Sequence, residues 1–210
     1  MRTVRIADVE PIRVVGGSLE WRPVRRTLGI EAFGINAYTG DTGALVVEEH
    51  DETGAGAGHH EELYIVVTGR ATFTVDGESF DAPPGTLVFL DDPKERRGAK
   101  AVEDGTTVLA IGGVRGQPFR VSPWEFAFAS VPAYEEKRYD EAKALLEKGL
   151  ETHPGNTSLL YDLACVEALM GERESALEHL EQAVANPKLR EHAQTDSDLD
   201  AIRDDPSFPT

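Results

Sequence analysis

The chain has 210 residues, a hydrophobic content of 40% and a formal net charge of −17, enough for one sizeable core or two small domains. So acidic a surface repels nucleic acid and anionic membranes, and no apolar run approaches a membrane span, so neither partner is expected. A single cysteine, Cys165, excludes an internal disulfide and fits a reducing compartment. With no signal-like apolar stretch in MRTVRIADVEPIRVV, a cytoplasmic location is expected.

In chain order, the first feature is a small basic patch of Trp21, Arg22, Arg25 and Arg26. It suits an anionic ligand or an acidic partner, but pairing with this protein's own acidic face is the simpler expectation. Short segments rich in Val, Ile, Thr and aromatics follow: GIEAFGINAY, ALVVEEH, LYIVVTG, ATFTVDG, TLVFL and TTVLAIGG. Gly, Asp and Pro clusters separate them, which is the pattern of short antiparallel strands in a sandwich or closed barrel. Asp76-Gly77 marks a two-residue hairpin turn.

Residues 112–125, GGVRGQPFRVSPWE, have no periodicity and read as a linker. They separate an expected β domain, residues 1–121, from an expected helical domain, residues 122–210. Beyond them the hydrophobic period becomes helical. Ala142, Leu145, Leu146, Gly149 and Leu150 recur 34 residues later as Ala176, His179, Leu180, Ala183 and Val184. KRYDEAKALLEKGLETHPGN and GERESALEHLEQAVANP read as second helices of two repeats. TSLLYDLACVEALM reads as a first helix, with small Ala164 at a close approach. Pro132 is expected to interrupt the first helix of the first repeat, and Asp196 or Ser197 to cap a short last helix. His153 and His179 are expected to face solvent or a neighbouring helix, and Cys165 to be a small packing residue.

The richest chemistry lies around GHHEELYIVVTGRATFTVDGE, residues 58–78. His50, His59 and His60 fall close together beside Glu49, Asp51, Glu61 and Glu62. Imidazole and carboxylate together suit first-row transition metals and proton transfer. On strands, His60 and Glu62 share a face because residues two apart do so. A slip of one residue in EEHDE would turn Glu49 and Asp51 inward instead of His50. The Gly-rich GAGAG lacks the Gly-Lys-Ser/Thr of a phosphate loop.

This segment resembles the first cupin motif: a Gly-rich lead-in, a His-x-His pair, a Glu, then a strand ending in Gly. Glu62, Tyr64, Val66 and Gly69 stand at that spacing. APPGTLVFLDDPKERRG, residues 82–98, resembles the second motif, with Gly85 at its start and a turn at Asp91-Asp92-Pro93. The resemblance covers roughly residues 30–115. It implies a β-barrel of the cupin, double-stranded β-helix type, while the 34-residue period is that of a tetratricopeptide repeat; at most two and a half repeats are present.

The resemblance further implies a metal site of two His and a Glu from the first motif and a third His from the second. Positions 56 and 58, where His-x-His is expected, are both Gly. Either TGAGAG is an inserted loop and His50 supplies the missing imidazole, or His59 swings inward. The expected metal ligands are His50, His60 and Glu62, with His59 as the alternative, and the cofactor is either absent or one divalent transition metal. Arg96 stands at the third His position. A guanidinium cannot ligate a cation, so Arg96 is expected to point inward and pair with Glu62. Tyr38 and Tyr64 offer hydroxyls to the same interior.

Two functions follow. The first is a cupin-type small-molecule-binding or sensor protein with a degenerate metal site. There Arg96, Glu62, His60, Tyr64 and Tyr38 hold a small polar ligand, and the helical repeats meet a protein partner. The second is a metal-dependent enzyme of the oxygenase, isomerase or lyase class acting on a small carboxylate-bearing substrate. A homodimer is expected, because short repeat arrays leave apolar faces and cupin barrels pair through their sheets.

Overall fold

Alternation of period two sets the N-terminal architecture, because it gives each strand one apolar face. The computed structural model of the protein describes residues 2–13, 19–53 and 57–209. Contacts divide the chain into two compact units, Met1–Val121 and Ser122–Thr210.

The first unit contains β1 (Ile12–Arg13), β2 (Glu20–Arg22), a short helix α1 (Val24–Leu28), β3 (Gly34–Gly40), β4 (Leu45–His50), β5 (Glu61–Thr68), β6 (Ala71–Val75), β7 (Glu78–Ala82), β8 (Leu87–Leu90), β9 (Arg97–Ala101) and β10 (Thr106–Gly113). One sheet has the order β1-β2-β3-β10-β5-β8 and the other β4-β9-β6-β7. Every ladder is antiparallel. From β3 onward the chain changes sheet at every step except the β6–β7 hairpin. That winding is a jelly roll of the double-stranded β-helix type, made of two sheets rather than one closed ladder.

The inward face is apolar along most of its length: Val46, Tyr64, Val66, Phe73, Val88, Leu90 and Val108 are all buried. Phe73 lies opposite Ala99 and Phe80, so the small β9 residue makes room for the ring. Asp76 and Gly77 both have positive φ, 47° and 88°, the backbone a tight hairpin needs. Gly69 also has positive φ, and a Cβ there would lie 2.4 Å from Thr106 Oγ1. The residue ending the first motif therefore has no room for a side chain.

Outside the first sheet, Val9 and Val24 pack with Ala37, beside Ile35 and Leu109. Two arginines of the basic patch bond to oxygens of their own neighbourhood. Arg22 donates to the Val9 carbonyl at 2.5 Å and to Thr39 Oγ1 at 2.9 Å. Arg25 donates to the Ile30 carbonyl at 3.0 Å.

The second unit holds α2 (Pro123–Glu135), α3 (Tyr139–Thr152), α4 (Thr157–Met170), α5 (Arg173–Ala183) and α6 (Pro187–Ala193). Most apolar positions of the 34-residue repeat are buried: Ala142 and Leu146 in α3, Ala176, Leu180 and Ala183 in α5. Gly149 is where α3 crosses its neighbours, since a Cβ there would lie 2.9 Å from Leu159 and 3.0 Å from Phe126. Asn156 caps α4 by accepting from Leu159 N, and Gly171 ends it in the left-handed conformation, as helix termini require.

Two expectations need correction here. Pro132 does not break the first helix; α2 runs through it to Glu135. Proline forfeits a single intrahelical bond there, and so near the helix end little remains to disrupt. The segment 112–125 is not all linker, because β10 continues to Gly113 and α2 begins at Pro123. Asp196 does cap the final turn, accepting from Asp198 N. No helix among the described residues is long and apolar enough to cross a membrane.

Candidate functional site

Four charged side chains meet where the apolar interior of the double sheet gives out. His50 and Arg97 are register partners on β4 and β9. Glu62 faces them from β5, on the other sheet. Glu52 completes the group from the turn after β4, where its N–H binds the Pro93 carbonyl at 2.8 Å.

Glu62 Oε2 is the hub. It accepts the Tyr64 hydroxyl at 2.5 Å and lies 3.4 Å from Arg97 Nε and 3.7 Å from His50 Nε2. Burial and the neighbouring Glu62 carboxylate hold the Tyr64 hydroxyl well above the ordinary phenol range, so it remains a proton donor. Arg97 is 0% exposed, and among the described residues none of its three guanidinium nitrogens has a hydrogen-bond partner. Its contact with Glu62 is one of charge without donor alignment.

Glu52 Oε1 lies 3.6 Å from His50 Nε2. Its other oxygen accepts from Gly58 N at 2.9 Å and His60 N at 3.3 Å. Burial alone would raise the Glu52 carboxyl, but His50 and the two N–H donors outweigh it and hold it below its usual range. His50 Nδ1 lies 2.7 Å from the Glu48 carbonyl, which can only accept, so Nδ1 carries a proton. Nε2 faces two carboxylates. Burial opposes charge on the ring, yet those carboxylates push its pKa from 6.5 up to about 10. The metal-free ring is an imidazolium.

The structure corrects the expected anchor. Arg96 is not inward: its side chain is 55% exposed and donates to Glu49 on the outer surface at 2.6 Å. Arg97 occupies the interior instead. A one-residue difference in strand register exchanges the two faces, and here the turn through Asp92–Glu95 sets that register. The alternative ligand His59 is exposed with φ 55° and does not swing inward. His60 is buried, but its Nδ1 is 3.9 Å from Glu52, and its ring packs 5.8 Å from Phe119. Tyr38 contributes to the surroundings of the Tyr64 hydroxyl.

Of the two glycines at the expected His positions, Gly56, with Gly54 and Ala55 of the loop reading, lies outside the described residues. Gly58 is described, and a Cβ on it would fall 2.3 Å from His60 Nε2. The ring of His60 thus fills the space that a side chain at 58 would take. Sequence reasoning missed Glu52. Its signal was its spacing, two residues after His50.

The donor chemistry fits a divalent transition metal. His50, Glu52 and Glu62 each offer one ligand atom, all within 4.8 Å of one another. Imidazole nitrogen and carboxylate oxygen suit such ions, and the Glu48 carbonyl orients His50 as an outer partner would. A second group, Cys165, Asp196 and Asp198, lies in the helical unit. Tyr161 and Tyr134 donate to these two carboxylates at 2.8 Å and 2.6 Å, and burial pushes the Cys165 thiol well up. His179 donates to buried Glu167 at 2.7 Å, alongside Lys143.

The strand order and the winding between two facing sheets define a jelly roll of the double-stranded β-helix type, followed by a unit of helices. Residues 133–195 match the family described as tetratricopeptide repeat. No curated protein matches the chain. Similar solved structures include KdgF from Halomonas sp., at 19% identity over 55% of this chain and 94% of that one, with a TM-score of 0.43. A sugar phosphate isomerase of the cupin superfamily from Silicibacter pomeroyi shares 15% identity over 53% and 74%, TM-score 0.43. A Cupin 2 conserved barrel domain protein from Salinispora arenicola shares 20% over 55% and 91%, TM-score 0.43.

Two measurements probe this cluster. Glu62→Gln leaves Arg97 buried without its facing charge, and is expected to cost about 3–5 kcal/mol in denaturant unfolding; an unchanged midpoint would show that Arg97 does not depend on Glu62. His50 has its folded pKa raised above 6.5, so its contribution is complete below pH 6.5 and is lost as pH rises through about 10. In chelator-treated protein, His50→Gln should flatten the stability decline across that window. A variant with the same slope as the wild type would contradict the charge assignment.

Proposed function

We propose that the protein is a cupin-type small-molecule-binding protein whose interior site recognises a small polar ligand while the helical repeats dock a protein partner. The observation that carries this reading is the convergence of His50, Glu52, Glu62 and Arg97 inside the double sheet. Burying charge is costly unless it is matched, and a structural barrel has no need of four such groups. His60, Tyr64 and Tyr38 supply further polar contacts around them.

A second reading is a metal-dependent enzyme of the oxygenase, isomerase or lyase class acting on a small carboxylate-bearing substrate. The Glu48-bound orientation of His50 favours it. When bound, a divalent metal at His50, Glu52 and Glu62 supplies Lewis acidity. Elemental analysis of protein purified without a His tag separates the two. The binding reading expects sub-stoichiometric metal, with ligand-dependent stabilisation that survives chelation. One metal per chain, lost in His50→Gln and Glu52→Gln, would favour the enzyme.

The protein is further proposed to form a homodimer through β8. This strand ends its sheet, and its Leu87 and Phe89 are 63% and 58% exposed. Within Leu87–Leu90 there is no charge, proline or bulge of the kind that guards an edge. An identical edge running antiparallel matches both the free backbone groups and the apolar strip. Light scattering should give twice the 22.9 kDa chain mass, and Phe89→Glu should give the monomer. A wild-type monomer at tens of micromolar would end the proposal.

A further inference from the structure

We propose that Phe119 is a plug: its ring occupies a seat on the inner face of the barrel beside His60, and the exposed strap that carries it lets it withdraw when a ligand comes to the site. This rests on the binding reading above and names what holds that site shut. The seat follows from register. Gly34, Gly112, Glu62 and Leu90 are successive cross-strand partners on β3, β10, β5 and β8, and cross-strand partners share a face. Glu62 is inward, so the two glycines are inward as well, and neither puts a side chain on the wall. Phe119 lies over Gly34, where a Cβ would fall 3.0 Å from its ring. The ring stands 5.8 Å from that of His60, and the Arg25 guanidinium lies 5.9 Å from its centre.

Farther along the barrel the interior is filled by the strands themselves, as Phe73 fills it opposite Ala99. At the polar end the filling ring comes instead from the segment after β10, and its hold there is light. Arg115, Gly116, Gln117, Pro118 and Arg120 are all exposed, and Gly113 and Gly116 border open space, so the backbone can bend at either without a clash. The latch of the strap is Arg115, whose Nε and Nη2 donate to Glu61 Oε2 at 3.1 Å and 2.8 Å. That side chain is 71% exposed, and an ion pair at the surface adds little. A segment with so few buried contacts opens locally far more often than the whole fold unfolds. Each opening uncovers His60, which is otherwise 8% exposed.

The test follows carbethoxylation of His60 by diethyl pyrocarbonate, read by peptide mass in a His59→Asn background so that the neighbouring ring does not contribute. Phe119→Ala should raise the His60 rate at least about tenfold. Arg115→Ala leaves the interior untouched. It should raise the rate about two- to fivefold at an unchanged melting temperature, and should add nothing further in Phe119→Ala protein. Without either substitution, the His60 rate should depend only weakly on urea, because opening of the strap exposes little surface. Should Phe119→Ala fail to fold, Arg115→Ala and the urea dependence carry the test. An unchanged His60 rate in the folded variants, or a rate that follows global unfolding in urea, would overturn the plug. No ligand is added, so that result leaves the binding reading standing. The binding reading falls separately, if small polar ligands fail to stabilise chelator-treated protein.

Discussion

A buried cation facing a carboxylate across two sheets is the constraint around which the barrel is organised. Arg97 belongs to one sheet and Glu62 to the other. Neither charge is tolerable in the interior alone. The two charges meet across the sheets at that end, and Tyr64 orients the Glu62 carboxylate by donating its hydroxyl. Away from the pair the interior returns to ordinary packing, with Phe73 against Ala99 and Tyr64. The apolar half makes the roll stable, and the charged half makes it chemically capable.

The helical unit treats buried charge in a related way. Glu167, inside the α4–α5 packing, meets both Lys143 and His179. At its C-terminal end, two tyrosine hydroxyls bind Asp196 and Asp198, while Leu199, Ile202 and Phe208 join the core. The tail thus takes the place of a further repeat and covers an apolar flank that an array this short would leave open.

The fold was legible because its signals are periodic and redundant. The 34-residue recurrence names positions that the structure buries, such as Leu146 and Leu180. Strand alternation in LYIVVTG and ATFTVDG survives small errors at the ends. β7 and β9 escaped notice because their inward positions are small or few, as in RGAKA. The site was harder, since it depends on single-residue phase. Counting from Gly85 placed Arg96 inside, yet the turn before β9 brings in Arg97, and two adjacent arginines give composition no means of choosing. Glu52 lay in plain view, but it acts from a turn, where alternation makes no statement.

The Glu52 carboxylate has one more consequence. By accepting from Gly58 N and His60 N, it closes the chain on itself ahead of β5. Whatever the chain does between 53 and 57, its ends are held at that carboxylate. Loop-closure cost grows slowly with length, so insertions and deletions at this point leave the interior geometry unmoved. A lead-in of another length, grafted between those two ends, is expected to keep the same arrangement of charge.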